Sequence, residues 1–160
     1  MSPARAMGGF TLVEMLVTVA IVAILAMGAV PFAQLASQRV KESELRTALR
    51  QIREAIDAYK RAHDDGRITR RADVSGYPPS LEALAEGVPN AKPEGPRRIV
   101  FLRRVPRDPF HPDRAADPAR TWGKRSYDSP WDAPREGADV FDIYSRAEGA
   151  GLNGVPYRQW

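Results

Sequence analysis

From Met15 to Ala33 every residue is apolar or small except Thr18, and between Arg5 and Arg39 the one ionisable side chain is Glu14. Nineteen residues of this kind at ~1.5 Å rise each make ~29 Å of helix, which matches the hydrocarbon thickness of a bilayer at ~30 Å. A segment like this can cross a membrane. What has to be explained is the carboxylate at its edge.

Beyond the run the chain changes character. All the lysines and arginines except Arg5, and all the acids except Glu14, follow it, in a total of 24 Lys+Arg against 20 Asp+Glu over 160 residues. The remainder is therefore soluble, mildly basic and mixed in sign, with the length of one small domain. The 14 prolines and 12 glycines are too few for a collagen-like or wholly disordered chain. With no cysteine there is no disulfide framework, no thiolate zinc cluster and no cysteine nucleophile, and the two histidines leave few metal geometries.

Three readings of the amino terminus compete. A cleaved secretory signal would carry a basic start, a short apolar core and a small-x-small site after it. Here the start has Arg5 alone, the run is long, and the best later site places Gln34 and Ala36 at its two key positions. An uncleaved anchor fits the length and gives no reason for Glu14. The third reading begins from Met7-Gly8-Gly9-Phe10-Thr11-Leu12-Val13-Glu14, which resembles the opening of the type IV pilin and pseudopilin superfamily: a glycine, an aromatic residue, then Thr-Leu-x-Glu leading into a long apolar helix. The resemblance implies that a prepilin peptidase cuts between Gly9 and Phe10 and methylates the new amino group of Phe10, so that residues 1–9 are a leader.

The chemistry of Glu14 can be argued from the residue itself. A carboxylate at the centre of a spanning helix costs about 2.5 to 3.5 kcal/mol, and less near its edge. The first turn of a helix offsets part of this, because free backbone N–H groups and the positive end of the peptide dipole favour an anion there. A cut before Phe10 would add an amine one turn away. Two such helices packed in lipid with a small axial offset could pair the amine of one with the carboxylate of the next, where salt screens little. Glu14 then sets an assembly register; the plainer alternative is a carboxylate that hydrates near the headgroups.

The helix is expected to continue from about Thr11 to about His63, ~80 Å of α-helix, with Asp64-Asp65-Gly66 as its stop. Leu45, Leu49, Ile52, Ile56 and Tyr59 step by four, three, four and three, and Ala48, Ala55 and Ala62 widen the stripe. Glu44, Arg50, Arg53, Glu54, Asp57, Lys60 and Arg61 read as the solvated face, and Glu42–Arg46 and Asp57–Arg61 as weak i,i+4 pairs. Barely two heptads argue against a coiled-coil dimer and for packing on the chain's own carboxy-terminal domain. Pro31 removes a backbone bond and Gly28 is a weak helix former, so a kink or soft point is expected there; the superfamily commonly has a proline at this place, which implies that the segment bends or melts on assembly.

From Tyr77 onward prolines crowd in, which suits loops and short edge elements. Pro78 to Leu84 reads as a short helix capped by Ser80, and Ile99–Leu102, Arg125–Tyr127 and Val140–Tyr144 as strands. The fold class is α+β: a long amino-terminal helix packed, by its amphipathic half, on a small antiparallel sheet, which is pilin-like. The segments are a leader at 1–9, a membrane and assembly helix at 10–35, an amphipathic helix at 36–65 and a globular domain at 66–160.

Phe101-Leu102-Arg103-Arg104-Val105-Pro106-Arg107-Asp108-Pro109-Phe110 resembles the Tyr-Leu-Lys-Lys-Leu-Pro-x-Asp-Pro-Trp stretch of the major (G-type) pseudopilins of type II secretion. Asp142-Ile143-Tyr144-Ser145, a glycine-rich loop and the terminal Trp160 are similar to their closing strand and loop. In that family the loop holds a calcium ion. Here Ser145 to Gly154 lacks the run of aspartates and offers Ser145, Glu148 and Asn153, with Arg146 opposing them, to an ion that wants six to eight oxygens.

Asp108, His111 and Asp113 interleave with prolines and read as a turn with solvated side chains rather than a metal site. Ser126, Ser129 and Ser145 sit in no G-x-S-x-G elbow, and neither histidine has a catalytic neighbourhood. The clusters Arg70-Arg71, Arg97-Arg98 and Arg103-Arg104-Arg107 could meet nucleic-acid phosphates, but interspersed acids and the lack of a stacking platform favour a solvated surface or filament contacts. The resemblance thus implies a non-enzymatic, single-pass inner-membrane protein with a periplasmic domain. Its partners would be its own copies in a filament, the prepilin peptidase, other pseudopilins and an inner-membrane assembly platform, with no obligatory cofactor. A minor type IV pilin and a DNA-uptake pseudopilin are the alternatives. Arg5 stands on one side of the apolar run and Arg39 and Lys41 on the other, so the positive-inside rule does not decide the orientation.

Overall fold

The computed structural model describes residues 9–69, 75–93 and 95–160. Residues 1–8 of the expected leader and the Arg70-Arg71 cluster lie outside the described residues. Two compact units emerge, residues 1–40 and residues 41–160.

One helix, α1 (Leu12–Asp64), enters both units. In the first, it is the element long and apolar enough to cross a membrane, and the large apolar side chains described on it between Leu12 and Leu35 are exposed. Helical backbone continues through Pro31, which has no N–H to offer the Met27 carbonyl. The helix ends as expected. Gly66 takes a positive φ of 69°, and the amides of Gly66 and Arg67 donate to the carbonyls of His63 and Ala62 at 3.0 and 2.9 Å, which is the double bond of a Schellman stop.

In the second unit the stripe read from the sequence is the core. Leu45, Ala48, Leu49, Ile52, Ala55, Ile56, Tyr59 and Ala62 are all buried, together with Leu81, Leu84, Ile99, Trp122, Val140, Ile143 and Tyr157. A helix this amphipathic is held by such packing far more than by propensity. Ser80 caps α2 (Leu81–Glu86), its hydroxyl accepting the Ala83 N–H at 3.3 Å, and Leu81 and Leu84 face inward.

The strands form two separate two-stranded sheets, differently bounded than the sequence suggests. β1 (Val88–Pro89) pairs antiparallel with β2 (Arg98–Ile99), and β3 (Trp122–Arg125) pairs antiparallel with β4 (Asp142–Ser145). The Ile99–Leu102 run leaves the ladder after Ile99, because the Phe101 and Leu102 amides both donate to the Leu84 carbonyl at the end of α2. Likewise the strand expected at Arg125–Tyr127 ends at Arg125, since the Ser126 amide turns to the Arg135 carbonyl at 2.9 Å. β3 starts earlier, at Trp122, whose side chain is fully buried with its indole N–H on the Pro106 carbonyl at 2.8 Å. Two short 3-10 turns, Pro118–Thr121 and Tyr157–Gln159, complete the chain.

Candidate functional site

At the amino-terminal end, Gly9, Phe10 and Thr11 precede the first helical residue. The Thr11 hydroxyl accepts the Glu14 N–H at 3.2 Å and the Thr11 carbonyl accepts the Met15 N–H at 3.1 Å. Thr11 is therefore the N-cap and Glu14 lies at the third position of the first turn, beside the unsatisfied amides and the positive end of the dipole. Thr-x-x-Glu ahead of an apolar run is a capping-box pattern; this signal is present in the sequence, and it gives Thr11 a role that the pilin-like motif alone leaves unassigned.

Phe10 is 75% exposed, and Glu14 is exposed too. Thr18, the polar exception in the run, turns its hydroxyl onto the Met15 carbonyl at 2.9 Å, so its hydrogen-bonding proton is satisfied within the helix and needs no water. Pro31, the other residue expected to act in assembly, is exposed on α1.

At the other end of the molecule lies the loop after β4. Ser145 is completely buried, and its hydroxyl donates to the Asp108 carboxylate at 2.5 Å while accepting the Ala147 N–H at 3.1 Å. Glu148 is exposed, and Asn153 Oδ1 takes the Val155 N–H at 3.1 Å. Of these three oxygens the hydroxyl donates to a carboxylate, the amide oxygen closes its own turn, and Glu148 contributes the set's one charge, against the six to eight oxygens that calcium takes. Among the described residues no group of three or more His, Cys, Asp or Glu side chains is placed to hold a metal.

Several side chains read as surface in the sequence prove to be buried or tied into the fold. Asp108 is 1% exposed, not solvated: it accepts the Phe110 N–H at 2.8 Å and the Ser145 hydroxyl. Arg53 is not merely part of a solvated face; it donates to Asp142 at 2.9 Å, to the Ile143 carbonyl at 3.2 Å and to the Trp160 carbonyl at 2.8 Å, tying α1, β4 and the chain end together. Glu42, read as one half of a surface pair, is 4% exposed, and its Oε1 accepts the Leu152 N–H at 2.8 Å and the Tyr157 hydroxyl at 3.1 Å. No local pattern marks Arg53 and Glu42, because their partners lie far away along the chain.

Asp139 is a third buried acid. Burial by itself would raise its pKa, but the Ser75 and Ser126 hydroxyls and the Tyr127 N–H all donate to it and together hold it below the ordinary carboxylate range. Of the basic clusters, Arg107 is engaged with the Arg114 and Asp113 carbonyls, each at 2.5 Å, and Arg98 with the Glu86 and Gly87 carbonyls at 3.0 and 2.6 Å.

Residues 5–30 match the prokaryotic N-terminal methylation motif. The chain is also 31% identical, over 116 residues, to the type II secretion system core protein G of Vibrio cholerae serotype O1 (strain ATCC 39315 / El Tor Inaba N16961), an alignment that covers 71% of this chain and 72% of that protein. No solved structure matches. The capped apolar helix with its single acid, the α+β unit behind it and these two matches lead to one conclusion: the chain belongs to the type II secretion core protein G family, the G-type pseudopilins of the type IV pilin superfamily.

Proposed function

We propose that this protein is a subunit stored in the bacterial inner membrane by α1 and assembled through that helix into a periplasmic filament that serves type II protein secretion. The observation that carries the reading is Glu14, a lone acid set in the capped first turn of an exposed apolar helix. A carboxylate so placed is expensive in lipid unless a cation reaches it. Removal of residues 1–9 by the prepilin peptidase creates that cation on Phe10, and methylation leaves it charged. A Cβ added to Gly9 would meet nothing within 4 Å among the described residues, which agrees with a glycine chosen by the peptidase and not by packing.

In the filament, the Phe10 amine of one copy meets Glu14 of its neighbour, and Pro31 marks where the helix yields as copies pack. The globular domain lies in the periplasm. The remaining partners are other pseudopilins and the assembly platform, and the protein's own role is mechanical, with no bond made or broken by it. The DNA-uptake alternative loses ground because Arg98 and Arg107 already serve backbone carbonyls of their own domain.

The test is a deletion strain complemented with wild type, Glu14→Val or Glu14→Ala. Wild type restores export of type II cargo; both variants are made, inserted and cleaved, yet give no filaments and no export. Full export by either variant would refute the register. Salt-sensitive DNA binding by the purified protein, with export unaffected by the deletion, would favour the DNA-uptake reading instead.

A further inference from the structure

A loop that closes on calcium turns oxygens toward a common centre, because a hard cation gathers carbonyls and carboxylates. The terminal loop of this chain gathers donors instead. The Leu152 N–H and the Tyr157 hydroxyl both point at one oxygen of the buried Glu42 on α1. Three carbonyl oxygens of the loop already accept hydrogen bonds from the chain: Gly149 accepts the Tyr157 N–H at 3.2 Å, Gly151 accepts the Gly154 N–H at 2.8 Å, and Val155 accepts both the Gly151 N–H at 2.9 Å and the Trp160 indole N–H at 3.1 Å.

The rest of the loop is fitted to the same closure. A Cβ at Gly151 would run into the Trp160 ring, so the loop can lie under that ring only with glycine there. The ring in turn stacks edge-on against Tyr157, with centroids 5.3 Å apart, and carries the Arg46 guanidinium at 4.5 Å. Tyr157 also packs on Phe110 at 4.3 Å, beside Asp108, which holds Ser145 at the loop's entrance.

From this arrangement we infer that the carboxy-terminal loop closes without a divalent cation, and that the Glu42 carboxylate is the built-in charge that locks it. The polarity is inverted relative to a metal-closed loop: a fixed anion from the long helix collects N–H and O–H donors where a bound cation would collect oxygens. Hydrogen bonds from neutral donors to a buried carboxylate are the strong class, and the anchoring helix supplies the buried stripe of the domain. Glu42 is a positioning residue for the loop. The inference stands on the loop's own contacts and not on the filament reading, so either can fail alone.

The test uses the full-length processed protein in detergent. Its thermal unfolding, followed by tryptophan emission, is measured with a calcium chelator and then with millimolar calcium chloride, and calcium uptake is measured by calorimetry. The expected results are an unchanged Tm and no saturable heat. Amide exchange at Leu152 should quicken on the order of tenfold in Glu42→Ala, with a smaller change in Tyr157→Phe, which keeps the ring and loses one donor. A calcium-dependent rise in Tm of the wild-type protein, saturable calcium heat, or Leu152 exchange indifferent to both substitutions would overturn the inference. The calcium arms need no variant, so a Glu42→Ala protein that fails to fold does not protect the inference from refutation.

Discussion

From Leu12 to Leu35, α1 turns large apolar side chains outward; from Lys41 to Asp64 the same helix buries a single stripe and exposes most of its charges. The two stretches share backbone geometry and differ in where their partners are. The second finds its partners in its own chain, at Leu81, Ile99, Trp122 and Ile143. The first finds none among the described residues, and an apolar surface of that extent in a stable protein implies lipid or other copies as its solvent. The acids follow the same division. Glu42 is buried and satisfied within the domain, whereas Glu14 is exposed and has its charge offset from inside the chain by the cap and dipole of its first turn.

The comparison breaks most decisively at Glu14. Its replacement by alanine or valine is expected to abolish filament formation, seen by electron microscopy of an overproducing strain, while unfolding of the globular domain stays unchanged. Next comes a matched pair of helix truncations. Ile52→Ala, at a fully buried site, should cost about 2 to 4 kcal/mol of domain stability in denaturant titrations. Ile24→Ala, at an exposed site in the membrane half, should cost the domain nothing. Equal costs would erase the distinction between the halves.

A smaller effect is expected at Arg53. Its side chain is about two-fifths exposed, at 39%, so Arg53→Ala should cost roughly 1 to 2 kcal/mol and loosen the chain end, read as faster exchange in β4. Smallest is the acid limb of the pH profile. Asp139 has its pKa lowered in the folded state. Its contribution is therefore complete above the unfolded value of about 3.9 and is lost as pH falls through the lower folded value. Asp139→Asn should be less stable at neutral pH and should flatten that acid limb in pH-dependent unfolding.

What the sequence made legible follows from distance along the chain. The stripe from Leu45 to Tyr59 could be read because a helix repeats every 3.6 residues and the whole period is written on one short segment, whatever it packs against. The Ser80 cap and the Gly66 stop could be read because each acts within a turn or two. Strand edges at Phe101 and Ser126 could not, since the competitor for each amide, Leu84 or Arg135, is set by tertiary packing. Glu42 and Arg53 looked like ordinary surface charges for the same reason: Leu152 is 110 residues from one and Asp142 is 89 from the other. At the amino terminus Gly9, Phe10 and Glu14 fall within one six-residue stretch, so the motif match over residues 5–30 rests on local sequence alone.

Under the proposed function, assembly through the first half of α1 begins with processing between Gly9 and Phe10. Intact mass of the membrane-extracted protein tests it most directly. The expected chain starts at Phe10, lighter by residues 1–9 and heavier by one methyl group. An unprocessed start, or a cut near Ala36 that removes the apolar half altogether, would contradict it.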